Sequence, residues 1–145
     1  VIYNDNSSFT GKCVAITCTS DGTATLGSAS TLVSSSLINA SLTYAENIGA
    51  VACYVVTGAF KSRIITVSGT TITLGTEVTI TTNNITNNGV AYDSTNSRVV
   101  VVYTDSSNSY YETNAVASIS GTDLTYQTPV VILSSATPSL LCWYS

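Results

Sequence analysis

The stretch Gly69-Thr70-Thr71-Ile72-Thr73-Leu74-Gly75-Thr76-Glu77-Val78-Thr79-Ile80 alternates apolar and hydroxyl-bearing residues on both sides of a central glycine. A period of two is the mark of a strand with one buried face, so residues 71–80 are predicted to be strand, broken at Gly75. The residues before it are of the same kind, with Val, Ile, Thr and Tyr dominating at 41–44, 50–56 and 62–68. These types fit pleated surfaces better than helices. Further on, Val99-Val100-Val101-Val102-Tyr103 is a continuous apolar run, predicted to be a strand buried on both faces. Between the runs lie Thr82-Asn83-Asn84, Asp93-Ser94-Thr95-Asn96-Ser97 and Asp105-Ser106-Ser107-Asn108-Ser109. Asp, Asn and Ser bond their own backbone in turns, so these segments read as loops. No run of ten residues has a helical period, and six Ser and Thr argue against a helix over residues 28–39.

The same order of strands recurs. Tyr92-Asp93 aligns with Tyr44-Ala45, Val102-Tyr103 with Cys53-Tyr54, and Ser120-Gly121-Thr122 with Ser68-Gly69-Thr70. Leu124-Thr125-Tyr126 then matches Ile72-Thr73-Leu74, and Pro129-Val130-Val131-Ile132 matches Glu77-Val78-Thr79-Ile80. The unit has four strands, A to D, at 41–44, 50–56, 62–68 and 71–80, and again at 89–92, 99–103, 114–120 and 123–132. A third copy opens the chain without its strand A. In it Val1-Ile2-Tyr3-Asn4-Asp5 matches Val101-Val102-Tyr103-Thr104-Asp105, residues 13–20 are strand C, Asp21-Gly22-Thr23 is the turn, and Thr25-Leu26-Gly27 starts strand D. The missing strand A has a counterpart at the other end, where Ser139-Leu140-Leu141-Cys142-Trp143-Tyr144 resembles 41–44 and 89–92.

Tandem four-stranded units of 40–50 residues are the sequence mark of β-propeller blades. The fold expected is all-β, a propeller-like array of about three four-stranded antiparallel blades with one blade split between the N- and C-termini. Residues 1–36 form the blade lacking its first strand, 37–83 the second blade and 84–134 the third. Residues 135–145 complete the first blade of the same or a neighbouring chain. The pattern Ala-Tyr-Asp-Ser-x-x-x-Arg-Val-Val-Val-Val-Tyr over 91–103, followed by Ser-Gly-Thr and Thr-Pro-Val-Val, resembles repeats of phage tail-fibre and bacterial surface proteins. That resemblance implies a propeller fold and a place outside the cell or on a virion, and it implies no catalytic residue.

Composition narrows the function. Only 8 % of the 145 residues are charged, with 4 Lys and Arg against 8 Asp and Glu, while 22 are Ser and 24 Thr. Four cations do not make a phosphate-binding groove, so nucleic acid is not an expected partner. The absence of histidine removes His triads and His metal sites. No stretch approaches the ~20 apolar residues of a membrane-spanning helix. Neither cofactor nor metal is expected. Asp5, Asp93 and Asp105 sit in oxygen-rich loops, but no complete calcium loop is present, and turn capping explains them more simply. Thr19-Ser20-Asp21-Gly22-Thr23 faintly resembles the turn repeated in sialidase propellers, without its Trp.

Three groups of candidate residues remain. Asn6, Asn39 and Asn84 head N-x-[ST] sequons, all in predicted loops, and are candidate glycosylation sites. Tyr110 and Tyr111, with Phe9 and Phe60 in the equivalent B–C loops, are candidate ligand-binding aromatics. Leu141, Cys142, Trp143 and Tyr144 on the split strand are the candidate assembly residues. Tyr44, Tyr54, Tyr92 and Tyr103 read as blade packing. Cys13, Cys18, Cys53 and Cys142 are either small buried hydrophobes or disulfide partners. The expected function is that of a non-enzymatic structural subunit of an extracellular or virion-associated fibre or assembly. Its expected partner is itself, in a ring or a head-to-tail filament, with bound or covalent glycan as a second. The alternative is a lectin-like or receptor-binding propeller module, and a hydrolase using Asp93 or Asp105 is a distant third.

Overall fold

The computed structural model describes residues 1–134, and all of their regular structure is antiparallel strand. β1 (Ile2–Asp5), β2 (Thr10–Cys13) and β5 (Ser30–Val33) form a first sheet in the order β1-β2-β5. β3 (Ile16–Cys18) and β4 (Ala24–Leu26) pair as a separate two-stranded ribbon. The middle sheet runs β6 (Ile38–Ala45), β7 (Gly49–Val56), β8 (Ala59–Ser68), and its last position is shared by two short strands. β9 (Thr71–Leu74) pairs with one end of β8 and β10 (Val78–Thr81) with the other. The third sheet repeats this plan with β11 (Ile85–Asp93), β12 (Arg98–Asp105), β13 (Tyr111–Ser120), β14 (Asp123–Tyr126) and β15 (Val130–Leu133). The repeat, its strand order and the break at Gly75 are those expected from the sequence. The first unit departs in one respect. Its strand C, expected over residues 13–20, is instead β2, which begins at Thr10 and pairs with β1, and the shorter β3, which pairs only with β4.

The sheets lie face to face. On β7, Val51, Cys53 and Val55 point into the core shared with the third sheet, while Ala52, Tyr54 and Val56 point into the core shared with the first. This strand, rather than β12, is the one buried on both faces. On β12, Val99, Val101 and Tyr103 are buried against the middle sheet, whereas Val100 and Val102 are half-buried. Full burial of each such side chain contributes about 1.5–3 kcal/mol, so β7 gains from both neighbours at once. Tyr103 meets Phe60 edge-on, with ring centroids 5.3 Å apart and planes at 61°. Tyr54 and Tyr103 are therefore buried between sheets, the packing role expected of them. Tyr92 is half-buried, but Tyr44 is 70 % exposed, which overturns the packing role expected of it.

Two glycines set how closely the sheets approach. A Cβ at Gly27 would lie 2.4 Å from the carbonyl oxygen of Thr70, and one at Gly75 would lie 2.5 Å from that of Thr122. Thr70 and Thr122 close the same turn in successive units, so one contact is made twice. Each glycine N–H also bonds strand C of its own unit, Gly27 to Ala15 O and Gly75 to Ile64 O, both at 2.9 Å. In the third unit the equivalent bond runs from Gln127 N to Val116 O at 2.9 Å, and that residue carries an exposed side chain. Backbone cannot yield cheaply to a new methyl group. Gly75→Ala and Gly27→Ala should each destabilise the fold by about 1–3 kcal/mol in urea unfolding, while Gln127→Ala should stay within about 0.5 kcal/mol of the parent.

Candidate functional site

In the middle sheet β7 has a neighbour on each side, β6 and β8, and in the third sheet β12 lies between β11 and β13. β1 holds the same place in the first sheet but pairs only with β2. Among the described residues its other edge presents unpaired backbone N–H and C=O groups. Such an edge is a template for a further strand.

The surface beside that edge has the matching vacancy. In the third sheet Val90, on β11, is 8 % exposed, because the middle sheet covers it. Its counterpart on β6, Leu42, is 45 % exposed, and Tyr44 next on the same face is 70 % exposed. These two side chains are on the face of Ala52 and Ala50, toward the first sheet, where no strand among the described residues lies beside β1. An apolar pocket of about 420 Å³ opens there, lined by Val1, Ile2, Leu42, Ala50, Ile65 and Val67 among others. A second hollow of about 320 Å³, bounded by Tyr44 and Ile48, shares Ala50, Ile65 and Val67 with it. Together they form one hollow over the Ala50, Ile65 and Val67 end of the middle sheet, bounded on the side of the first sheet by Val1, Ile2 and residues 13–16. Where strand A is present on both sides, β6 and β11 are stitched by side chains. Asn39 Nδ2 donates to Thr86 O at 2.6 Å, Asn88 Nδ2 donates to Asn39 O, and Ser41 Oγ bonds Asn88 Oδ1.

A polar cluster missed by sequence reading occupies the cleft on the opposite side of the first sheet. Lys61 Nζ donates to Glu77 Oε1 at 2.6 Å, Tyr54 OH donates to Glu77 Oε2 at 2.8 Å, and Arg63 Nη1 donates to Leu32 O at 2.9 Å. Burial pushes the Glu77 carboxyl up. The Lys61 and Tyr54 hydrogen bonds and the charges of Lys61 and Arg63 outweigh it and hold the group below its ordinary value. Burial, reinforced by the Glu77 contact, drives the Tyr54 phenol far upward, and burial lifts Tyr103 to about 12. Between the middle and third sheets Tyr126 sits beside Cys53 and Ser62, and burial raises it strongly too. The signal for the first cluster was present: Lys61 and Arg63 alternate on a strand opposite Glu77, three of the twelve charged residues.

The remaining sequence candidates are dispersed. Tyr110 is 52 % exposed with φ 59°, Tyr111 starts β13 half-buried, and Phe9 is 71 % exposed at the equivalent turn with φ 51°. Phe60 does not belong with them. Thr57 and Gly58, with φ of 48° and 79°, make a two-residue hairpin turn that returns Phe60 into β8, where it is fully buried. The loop carboxylates cap their turns. Asp5 accepts Ser7 N at 3.0 Å and Lys12 Nζ at 2.5 Å, Asp93 accepts Thr95 N and Asn96 N at 3.0 Å, and Asp105 accepts Ser107 N at 3.0 Å and Asn83 Nδ2 at 2.6 Å. The Lys12 and Ser7 bonds hold Asp5 well below the usual carboxylate range, and Thr19 and Thr23 hold Asp21 at about 2. Asn6 and Asn84 lie exposed in loops, but Asn39 lies within β6, not a loop. Its side chain is exposed, and its nitrogen donates to Thr86 O.

Cys13 and Cys53 are buried, whereas Cys18 is exposed on the β3–β4 ribbon, so of the two roles read for it the small buried hydrophobe does not hold. No disulfide joins any two of these three. Leu141, Cys142, Trp143 and Tyr144 lie outside the described residues. Among the described residues no three Cys, Asp or Glu side chains gather as a metal site would require, and no helix is long and apolar enough to cross a membrane. Comparison with family models, curated proteins and solved structures gives no match to this chain.

The Glu77 cluster fixes the sign of one pH effect. Its folded-state value is depressed, so its contribution is present above the ordinary carboxylate value of 4.5 and is lost as pH falls through the lower folded value. Unfolding free energy measured in urea should therefore fall on acidification below about pH 4.5, and Glu77→Gln should make that fall shallower.

Proposed function

We propose that this chain is a non-enzymatic structural subunit of an extracellular or virion-associated assembly, built of propeller-like four-stranded blades and joined to its own kind by β-pairing. The observation that carries the reading is the edge of β1, unpaired among the described residues, with an apolar hollow at its Val1–Ile2 end, whereas in the other two sheets the corresponding edge carries β6 and β11. A bare strand edge beside exposed Leu42 and Tyr44 is a liability in a solitary protein and an asset in one that recruits a strand. The low charge fits the same reading, since packed neighbours accept Ser and Thr more readily than unpaired charge. The loop carboxylates Asp93 and Asp105 accept backbone N–H groups of their own turns, which supports a structural use of them.

A second reading, a lectin-like or receptor-binding module, has support in Phe9 and Tyr110, exposed at equivalent turns. Aromatic faces held on a rigid hairpin suit a sugar ring. Glycan attached at Asn6 or Asn84 is compatible with either reading.

Electron microscopy of the purified full chain tests the first reading: fibres or closed rings are expected, and dispersed single copies at all concentrations overturn it. Leu42→Lys places a charge in the hollow at a position already open to water. It should abolish the assemblies while leaving the urea unfolding free energy within about 0.5 kcal/mol of the parent.

A further inference from the structure

We infer that the cleft around Glu77, between the first and middle sheets, is a binding site for a sugar that carries a carboxylate. The inference goes beyond assembly. Every residue it uses lies within one chain, and it involves neither the β1 edge nor the exposed Phe9 and Tyr110.

Strand register builds the cleft. On the face of the middle sheet that turns to the first, Tyr54 stands opposite Lys61 and Ala52 opposite Arg63. On the other side of β8, Thr79 pairs with Lys61 and Val78 with Ser62. The same register continued brings Glu77 level with Arg63, whose Nη2 lies 4.0 Å from the carboxylate. Residues 32–35 close the side of the first sheet, and Val56 and Thr57 complete the lining. The volume is about 430 Å³, within the range of small-molecule sites.

Charge and donor count select the ligand. The chain has four Lys and Arg against eight Asp and Glu, yet two of the four cations meet here over a single carboxylate. Lys12, by contrast, is matched by Asp5. Both oxygens of Glu77 are engaged, Oε1 by Lys61 and Oε2 by Tyr54. An ammonium has three N–H donors and a guanidinium five. Lys61 uses one on Glu77 and Arg63 one on Leu32 O, while Arg63 Nε has no partner among the described residues. The two cationic side chains keep 24 % and 19 % exposure, so they are largely withdrawn from water and still reachable. Partly buried positive charge in excess costs free energy until an anion joins it.

The excess is one charge. A carboxylate balances it, whereas a phosphate group, nearer to two charges at neutral pH, overshoots. The guanidinium fork also matches a carboxylate geometrically. The cleft is far larger than a carboxyl group alone needs. The hydroxyls of Ser34, Ser35 and Thr57 suit the ring hydroxyls of a sugar, and Leu32, Val33 and Val56 give its C–H face an apolar wall.

Saturation-transfer NMR on the full chain tests this, because it reads weak binding to single copies and to assemblies alike. Sodium glucuronate should receive saturation, and glucose, its neutral counterpart, several-fold less. Acetate should compete, and added salt should weaken binding. Arg63→Gln should weaken glucuronate binding about tenfold. Ser34→Glu sets a second carboxylate at an exposed position of the lining and should abolish binding with urea unfolding unchanged, which separates lost recognition from lost folding. Equal transfer to glucose and glucuronate, no transfer to glucuronate in the parent chain, or unaltered binding in either folded variant overturns the inference. Inorganic phosphate displacing glucuronate more strongly than acetate does overturns it as well. None of these outcomes touches the assembly reading, which fails instead when the parent chain is seen only as single copies.

Discussion

The side chains of β7 leave the strand in two directions, and neither direction meets water. Six consecutive residues, 51–56, are buried, half of them in each of two cores. A sheet apolar on both faces cannot stand alone, and everything else follows from covering it. The third sheet covers one face with Val99, Val101 and Tyr103, and the first sheet covers the other with Cys13, Leu32, Val33 and Leu37. Because the units are copies, each one offers its tyrosine face to the unit before it and its other face to the unit after it. A stack of that kind is heterologous, and its ends are never alike.

The two halves of each contact are fixed by different chemistry. Near strand D the limit is steric, since Gly27 and Gly75 let a backbone carbonyl of the following unit come closer than any side chain would allow. Near strand A it is polar, through the Asn39, Ser41 and Asn88 side chains between the middle and third sheets. Between the first and middle sheets no strand among the described residues makes that seam. Instead Asn4 brackets the backbone of Leu37, accepting its N–H at 2.6 Å and donating to its carbonyl at 2.7 Å. Among the described residues the first pair of sheets is held at its linker and open at the β1 edge, with the hollow at the Val1–Ile2 end of that edge.

Much of this was legible in the residues. The period-two pattern around Gly75 gave the broken strand, and the Ser-Gly-Thr turns gave the repeat. What was not legible depends on neighbours remote in sequence. Leu42 and Val90 occupy the same place in the repeat, and only the presence or absence of a covering strand separates 45 % exposure from 8 %. Phe60 was grouped with exposed loop aromatics because it aligns with Phe9 and Tyr110. The shorter turn at Thr57-Gly58 moves it inside the strand, while the longer turns of the other copies hold Phe9 and Tyr110 outside at positive φ. Cys18 shares its repeat position with buried residues, yet it lies on a ribbon that β1 does not reach.

The residue at the third glycine place argues that a joint between copies differs from the joints within one. Gly27 and Gly75 each seat a threonine turn of the next unit, but the third such place is held by Gln127, whose side chain is exposed. A following copy could not bring its Asp21-Gly22-Thr23 turn to the same distance without displacing it. The strand D side of such a joint is therefore wider than the contacts inside the chain. A wider contact gives up dispersion energy steeply, since even a gap of 0.5–1 Å forfeits roughly a quarter to a half of each atom pair. Pairing along the β1 edge does not depend on that approach, because its hydrogen bonds lie at the other side of the sheet. Within the chain, then, successive units are set by close glycine contacts that the third unit does not offer to anything beyond it.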